Sequence, residues 1–246
     1  LISFSTHLEQ RGFDPISADV WGEFVGGVFS ALQAAEKSLK AEQTWQSFCA
    51  ASGAFGKPRK SGPHIGKSIP TEEGISGELA DRMNDFLRET EDDHVLRKWH
   101  VSFDCEGRVR SAKKKGKHAS RTDIRARGQK PDGPEFVLEA KVVDSQAEIR
   151  SRLLGPKGLG CFTAHEPYTT ANVAGLVAYT VRGEAAEWHT RLENGYNQSP
   201  PIASDLVRVK IEPTDFTAVC VPVSRLTTTE PILIINVILR FWTNPI

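Results

Sequence analysis

The run FVLEAKVV, residues 136–143, constrains this chain more than any other stretch. Successive side chains of a strand point to opposite faces, so Val137, Glu139, Lys141 and Val143 share one face and Phe136, Leu138, Ala140 and Val142 the other. A strand that is apolar on both faces belongs inside a sheet covered on both sides, which points to an α/β architecture. A carboxylate and an ammonium in such a strand are costly to bury, and they persist where something pairs with them or uses them.

The preceding run, residues 121–127, alternates in the opposite sense, with Thr122, Ile124 and Ala126 on one face and Asp123, Arg125 and Arg127 on the other. Between the two runs lies GQKPDGP, residues 128–134, which is dense in turn formers, so a hairpin is expected. The hairpin brings Asp123 toward Glu139 and Lys141. Two carboxylates beside an ammonium suit Mg²⁺ or Mn²⁺, hard cations held by oxygen ligands, water and substrate phosphate.

Asp123, Glu139 and Lys141 resemble the active-site signature of the PD-(D/E)XK nuclease superfamily, in which an Asp near the kink of one strand precedes an acid-x-Lys tripeptide in the next. The tripeptide here is Glu139-Ala140-Lys141, and Thr122 stands at the proline position, a departure from the pattern. The resemblance covers mainly residues 71–182. It implies a restriction-endonuclease-like core, an α-β-β-β-α-β mixed sheet flanked by helices. It also implies catalytic roles for Asp123, Glu139 and Lys141, with Mg²⁺ or Mn²⁺ held by Asp123 and Glu139. A further acidic ligand from the first core helix is implied, and Glu78 is the position chosen for it. The implied reaction is hydrolysis of DNA phosphodiester bonds leaving a 5′-phosphate. Competing accounts stand beside these: Glu139 and Lys141 as neighbours on an exposed sheet face, Asp123 paired with Arg125 or Arg127, and Glu78 simply paired with Arg82 four residues on.

The formal net charge of +0 over 246 residues conceals segregation. Residues 108–130 are strongly basic, and Lys113, Lys114, Lys115, Lys117 and Arg121 are the candidate nucleic-acid contacts beside the metal site; an ordinary solvated charge run is the alternative. Because nonspecific DNA affinity comes largely from phosphate neutralisation, a balanced chain is expected to grip long DNA weakly by itself. A helicase or ATPase partner, in a bacterial restriction or anti-phage defence setting, follows as an expectation. The competing class is a catalytically inactive nuclease-fold subunit that binds nucleic acid or serves as a scaffold.

Cys49, Cys105, Cys161 and Cys220 are scattered with no CxxC pair, which argues against a zinc module or a disulfide scaffold and for reduced thiols in a cytoplasmic protein. No apolar run reaches the roughly 18–20 residues of a membrane-spanning helix. Gly66-Lys67-Ser68 resembles the end of a phosphate-binding loop, but Ser61 stands where that motif needs glycine and Pro70 obstructs the following helix, so no nucleotide cofactor is expected.

The expected organisation is a helical appendage at residues 1–56, a Gly/Pro/Lys linker at 57–70 and the nuclease-like domain at 71–246. In the appendage, Trp21, Phe24, Val25, Val28, Phe29, Leu32, Ala35 and Leu39 recur at helical spacing. Thr71 begins a capping pattern for a helix to about residue 90. A first strand over 95–103, the hairpin, a short helix over 144–154 and a glycine-rich loop carrying Lys157 follow. Residues 170–181 are expected as a buried helix and 185–196 as another, and strands over 206–211, 216–223 and 232–242 extend the sheet.

Overall fold

A computed structural model of the chain describes residues 1–60, 64–108, 121–130, 133–198, 202, 205–226 and 228–241. It is a mixed α/β fold built on an eight-stranded sheet with helices on both faces. In chain order the elements are β1 (Ile2–Ser3), α1 (Phe4–Gln10), α2 (Pro15–Leu39), α3 (Glu42–Ala50), α4 (Glu72–Glu89), α5 (Val95–Lys98), β2 (Val101–Arg108), β3 (Arg121–Gly128) and β4 (Glu135–Val143). Then follow α6 (Gln146–Glu148), which continues into a π-helical turn (Ile149–Leu153), α7 (Gly160–Thr163), β5 (Val173–Thr180), α8 (Ala185–Asn197), β6 (Val207–Lys210), β7 (Thr217–Val223) and β8 (Ile232–Arg240). The spatial order is β1-β6-β7-β8-β5-β4-β3-β2. The β4–β5, β5–β8 and β1–β6 pairs are parallel and the others antiparallel.

Alternation along the strands divides the core in two. Phe136, Leu138, Ala140 and Val142 of β4 pack with Phe24, Val28 and Phe29 of α2 and Ile75, Leu79 and Met83 of α4. Val137 and Val143 face the opposite layer, with Ile149, Leu153, Phe162, Trp188 and Leu192. The helix α4 starts where the sequence says it should. The Thr71 side chain accepts a hydrogen bond from the Gly74 N–H, and Glu72 and Glu73 occupy the first turn, where negative charge is favoured.

Three expectations are corrected. Residues 170–181, expected as a buried helix, form β5, whose eight residues are all buried between β4 and β8. The layer beside β4 is instead built from the π-helical turn, α7 and α8. Residues 95–103, expected as one strand, begin as the short helix α5, and His100 at φ 52° reverses the chain before β2 starts at Val101. The N-terminal stretch is no appendage: β1 pairs with β6, and the apolar stripe of α2 is core, with Phe29 edge-on to Phe136 at 5.9 Å. At either side of residues 61–63, isolated bridges join Arg59 to Ile65 and Phe55 to Pro70.

Candidate active site

The hairpin ladder between β3 and β4 runs only as far as Ile124 opposite Leu138. Beyond Leu138, β4 keeps its parallel partner β5 through Val143 while β3 diverges. N–H groups of alternate residues face opposite neighbours, so those of Ala140 and Val142 face the side that β3 has left. Buried amides need acceptors, and here carboxylates supply them. Asp123 Oδ2 accepts from the Ala140 N–H at 2.6 Å, and Glu72 Oε1 accepts from the Val142 N–H at 3.3 Å. The splay of the two strands therefore creates a slot in which side chains replace backbone.

Lys141 fills the centre of that slot. Its Nζ donates to Glu139 Oε1 at 2.8 Å, to the Ala140 carbonyl at 2.6 Å and to Glu72 Oε2 at 3.2 Å, and lies 3.6 Å from Asp123 Oδ2. Arg152, from the π-helical turn, bonds Glu72 Oε1 through one guanidinium nitrogen and the Val142 carbonyl, at 2.8 Å, through the other. Three carboxylates thus meet two cations. Glu139 and Lys141 are only 4% and 8% exposed, and Glu139 Oε2 is buried with no hydrogen-bond partner.

The electrostatics follow from that arrangement. Burial, then the neighbouring Asp123 charge, pushes the Glu139 carboxyl from 4.5 up to about 8, against the pull of Lys141. Burial also raises Asp123, with Lys141 and the Ala140 N–H opposing it. Burial works against the Lys141 ammonium, yet the Asp123, Glu139 and Glu72 charges together hold it above its ordinary 10.5. One ammonium is shared among several acids, so Glu139 is left under-compensated while Lys141 is over-compensated.

The slot opens onto a cleft of about 1230 Å³, whose walls include Glu73, Lys157, Cys161, His165 and Tyr168. The glycine-rich loop forms one wall because its backbone turns tightly. A Cβ at Gly158 would stand 2.0 Å from the Leu153 carbonyl oxygen. That is far inside contact distance, so only glycine fits there.

The structure brings Asp123, Glu139 and Lys141 together and places Lys157 on the same cleft. Glu78 does not join them: its carboxylate pairs with Arg82 at 3.1 Å, and Arg82 also bonds Ser38. The acid that the first turn of α4 delivers is Glu72. Its place directly after the Thr71 cap was its signal, since the N-terminal turn of a helix packed along a sheet ends at the sheet's rim, whereas Glu78 lies six residues, about 9 Å, further along the axis. Lys113, Lys114, Lys115 and Lys117 lie outside the described residues, as does the side chain of Arg121.

Among the described residues, no group of three or more His, Cys, Asp or Glu side chains is arranged to hold a metal ion by itself. The carboxylates close around the ammonium instead. The donor chemistry nevertheless suits a hard dication: Asp123 and Glu139 are oxygen donors, and the partnerless Glu139 Oε2 is a buried acceptor that lacks compensation. No helix of the described residues is long and apolar enough to cross a membrane. No family model, curated protein or solved structure matches the chain.

Proposed function

We propose that this chain is a metal-dependent nuclease that hydrolyses DNA phosphodiester bonds, with a restriction-endonuclease-like core spanning α4, β2, β3, β4, the α6 to α7 segment and β5. The observation that carries the reading is the buried, partnerless Glu139 Oε2 beside Asp123 and Lys141 at the point where β3 and β4 part. A purely structural ion cluster would be expected to satisfy every buried oxygen.

Asp123 and Glu139 would hold Mg²⁺ or Mn²⁺, with Glu72 the neighbouring acid from α4 in place of Glu78. When bound, the metal supplies Lewis-acid stabilisation of phosphoryl charge and acidifies water. Lys141 orients the attacking water and stabilises negative charge developing on the phosphoryl oxygens. Its position is fixed by the Ala140 carbonyl and by Glu72, which Arg152 anchors in turn. The walls of the cleft hold the strand against these groups and limit the access of bulk water.

A second reading has its own support. Lys141 contacts all three carboxylates, an arrangement that also suits an inert nuclease fold that binds nucleic acid or acts as a scaffold. The partner proposal, a helicase or ATPase in a bacterial restriction or anti-phage defence setting, keeps the neutral net charge as its support. The α2 stripe is buried, so a partner would dock elsewhere.

Incubation with supercoiled and linear DNA under Mg²⁺, Mn²⁺ or EDTA, beside Glu139→Ala and Lys141→Ala, tests the reading. Metal-dependent cutting that both substitutions abolish is the expected result. Inertness of the wild-type chain under every metal, together with no metal binding by calorimetry, would favour the second reading.

A further inference from the structure

Glu139 and Lys141 sit at the bottom of their cleft, with side chains only 6% and 10% exposed. Whatever reaches them must enter the cleft rather than lie across it. Double-stranded DNA is stiff over tens of base pairs and resists such local insertion, while an unpaired strand bends in freely. The wall that overhangs the site offers Tyr168, Pro156 and Ala164, and its cation, Lys157, is exposed with no ion pair among the described residues. Glu72 and Glu73 line the same cleft, so phosphate neutralisation alone supplies little affinity there.

Tyr168 lines the cleft and is held in place there. Its ring stands edge-on to Phe162, with centroids 6.2 Å apart and planes at 72°, and its N–H donates to the Cys161 carbonyl at 2.9 Å. A half-buried aromatic fixed from behind, beside recessed acids and one exposed lysine, is the layout of a stacking site, where an aromatic ring takes the face of any base and a cation tracks the backbone. We infer that this cleft takes an unpaired nucleotide strand, with a base stacked on Tyr168 and a phosphate met by Lys157, so that single-stranded nucleic acid or a frayed end is the substrate class. The inference rests on the nuclease reading for the purpose of the contact, though the binding itself is separable from it.

Fluorescence anisotropy with a labelled short oligo(dT) and a closed hairpin duplex, with Ca²⁺ in place of Mg²⁺, measures the preference. The expected result is oligo(dT) binding at least about tenfold tighter than the duplex, with Tyr168→Ala losing roughly ten- to a hundredfold and Tyr168→Phe retaining most of the affinity. Lys157→Ala, a change at an exposed position, is expected to weaken oligo(dT) binding several-fold and to reduce its salt dependence, which keeps the test open if Tyr168→Ala fails to fold. Equal affinity for the two probes, no binding of either, or unchanged affinity in a folded Tyr168→Ala protein overturns the inference. Cutting of duplex DNA indifferent to Tyr168 would sink it while leaving the nuclease reading intact. Tyr168-dependent oligo(dT) binding without cutting under Mg²⁺ or Mn²⁺, and without metal binding by calorimetry, would support the stacking site and favour the second reading over the nuclease.

Discussion

Replacing Glu139 by Gln should make the protein more stable at alkaline pH and leave it unchanged at acid pH. In the folded chain Glu139 holds its proton to about pH 8, whereas in the unfolded chain it releases it near the ordinary 4.5. Between those values the folded state binds more protons than the unfolded one, so stability falls as pH rises, by up to about 1.4 kcal/mol per pH unit. Over the interval from 4.5 to about 8 the loss is at most roughly 4–5 kcal/mol. Glutamine keeps an oxygen for Lys141 Nζ, 2.8 Å away, and carries no titration. Urea denaturation of both proteins in EDTA, at several values between about pH 5 and about pH 8.5, reads the difference. The stability advantage of the variant should grow from near zero to several kcal/mol across that window. Adding Mg²⁺ should flatten the wild-type slope alone, because a bound dication favours the ionised carboxylate. Parallel wild-type and variant curves in EDTA would refute the account of Glu139 as an under-compensated buried acid.

Three other perturbations separate the parts of the site. Lys141→Ala leaves the partly buried Asp123 and Glu72 carboxylates without their shared counter-charge and should cost about 3–5 kcal/mol near neutral pH, measured by denaturation. In the cleavage assay Glu72→Gln should lower the rate at least about tenfold, as expected for a group that fixes Lys141. Glu78→Gln, which loses only a partly exposed pair with Arg82, should leave the rate within about twofold and stability within about 0.5 kcal/mol. His7 is buried with both ring nitrogens unpartnered, and burial, then Arg11, holds it below its ordinary 6.5. It therefore contributes stability above about pH 6.5 that is lost as pH falls through its folded value, so His7→Leu should flatten the acid limb of a melting profile. An unchanged acid limb would assign the acid sensitivity to another group.

The residues whose surroundings are dictated locally were legible from the sequence. Thr71 with two glutamates behind it starts α4, and the alternation of residues 136–143 fixes β4 and the shared face of Glu139 and Lys141. Residues 170–181 were not, because a segment buried on every side has no polar face to set its period. What decides for strand is the partner on each side, β4 and β8, and β8 lies more than fifty residues downstream. The N-terminal stripe poses the same difficulty at larger scale: periodicity shows that α2 has an apolar face but not what covers it. Glu78, the position chosen on α4, lies away from Asp123, Glu139 and Lys141 for a geometric reason. A helix places six residues about 9 Å apart along its axis, and only the packed structure shows which turn overhangs the gap between β3 and β4.

The position of β8 bears on how the chain assembles. Strands β2 to β5 are contiguous in the sequence, β1, β6 and β7 form the other part of the sheet, and β8 joins the two by pairing with β5 and β7. On a ribosome, residues 101–180 emerge with the β3–β4 hairpin and its parallel neighbour β5 already able to pair, while the joining strand β8 starts only at Ile232, more than fifty residues later. Until then the far edge of β5, apolar along its whole length, has no neighbour, and an uncovered edge of that kind templates pairing with other chains. Synthesis speed past residue 180 and chaperone supply are therefore expected to govern the soluble yield of this protein more than its final stability does.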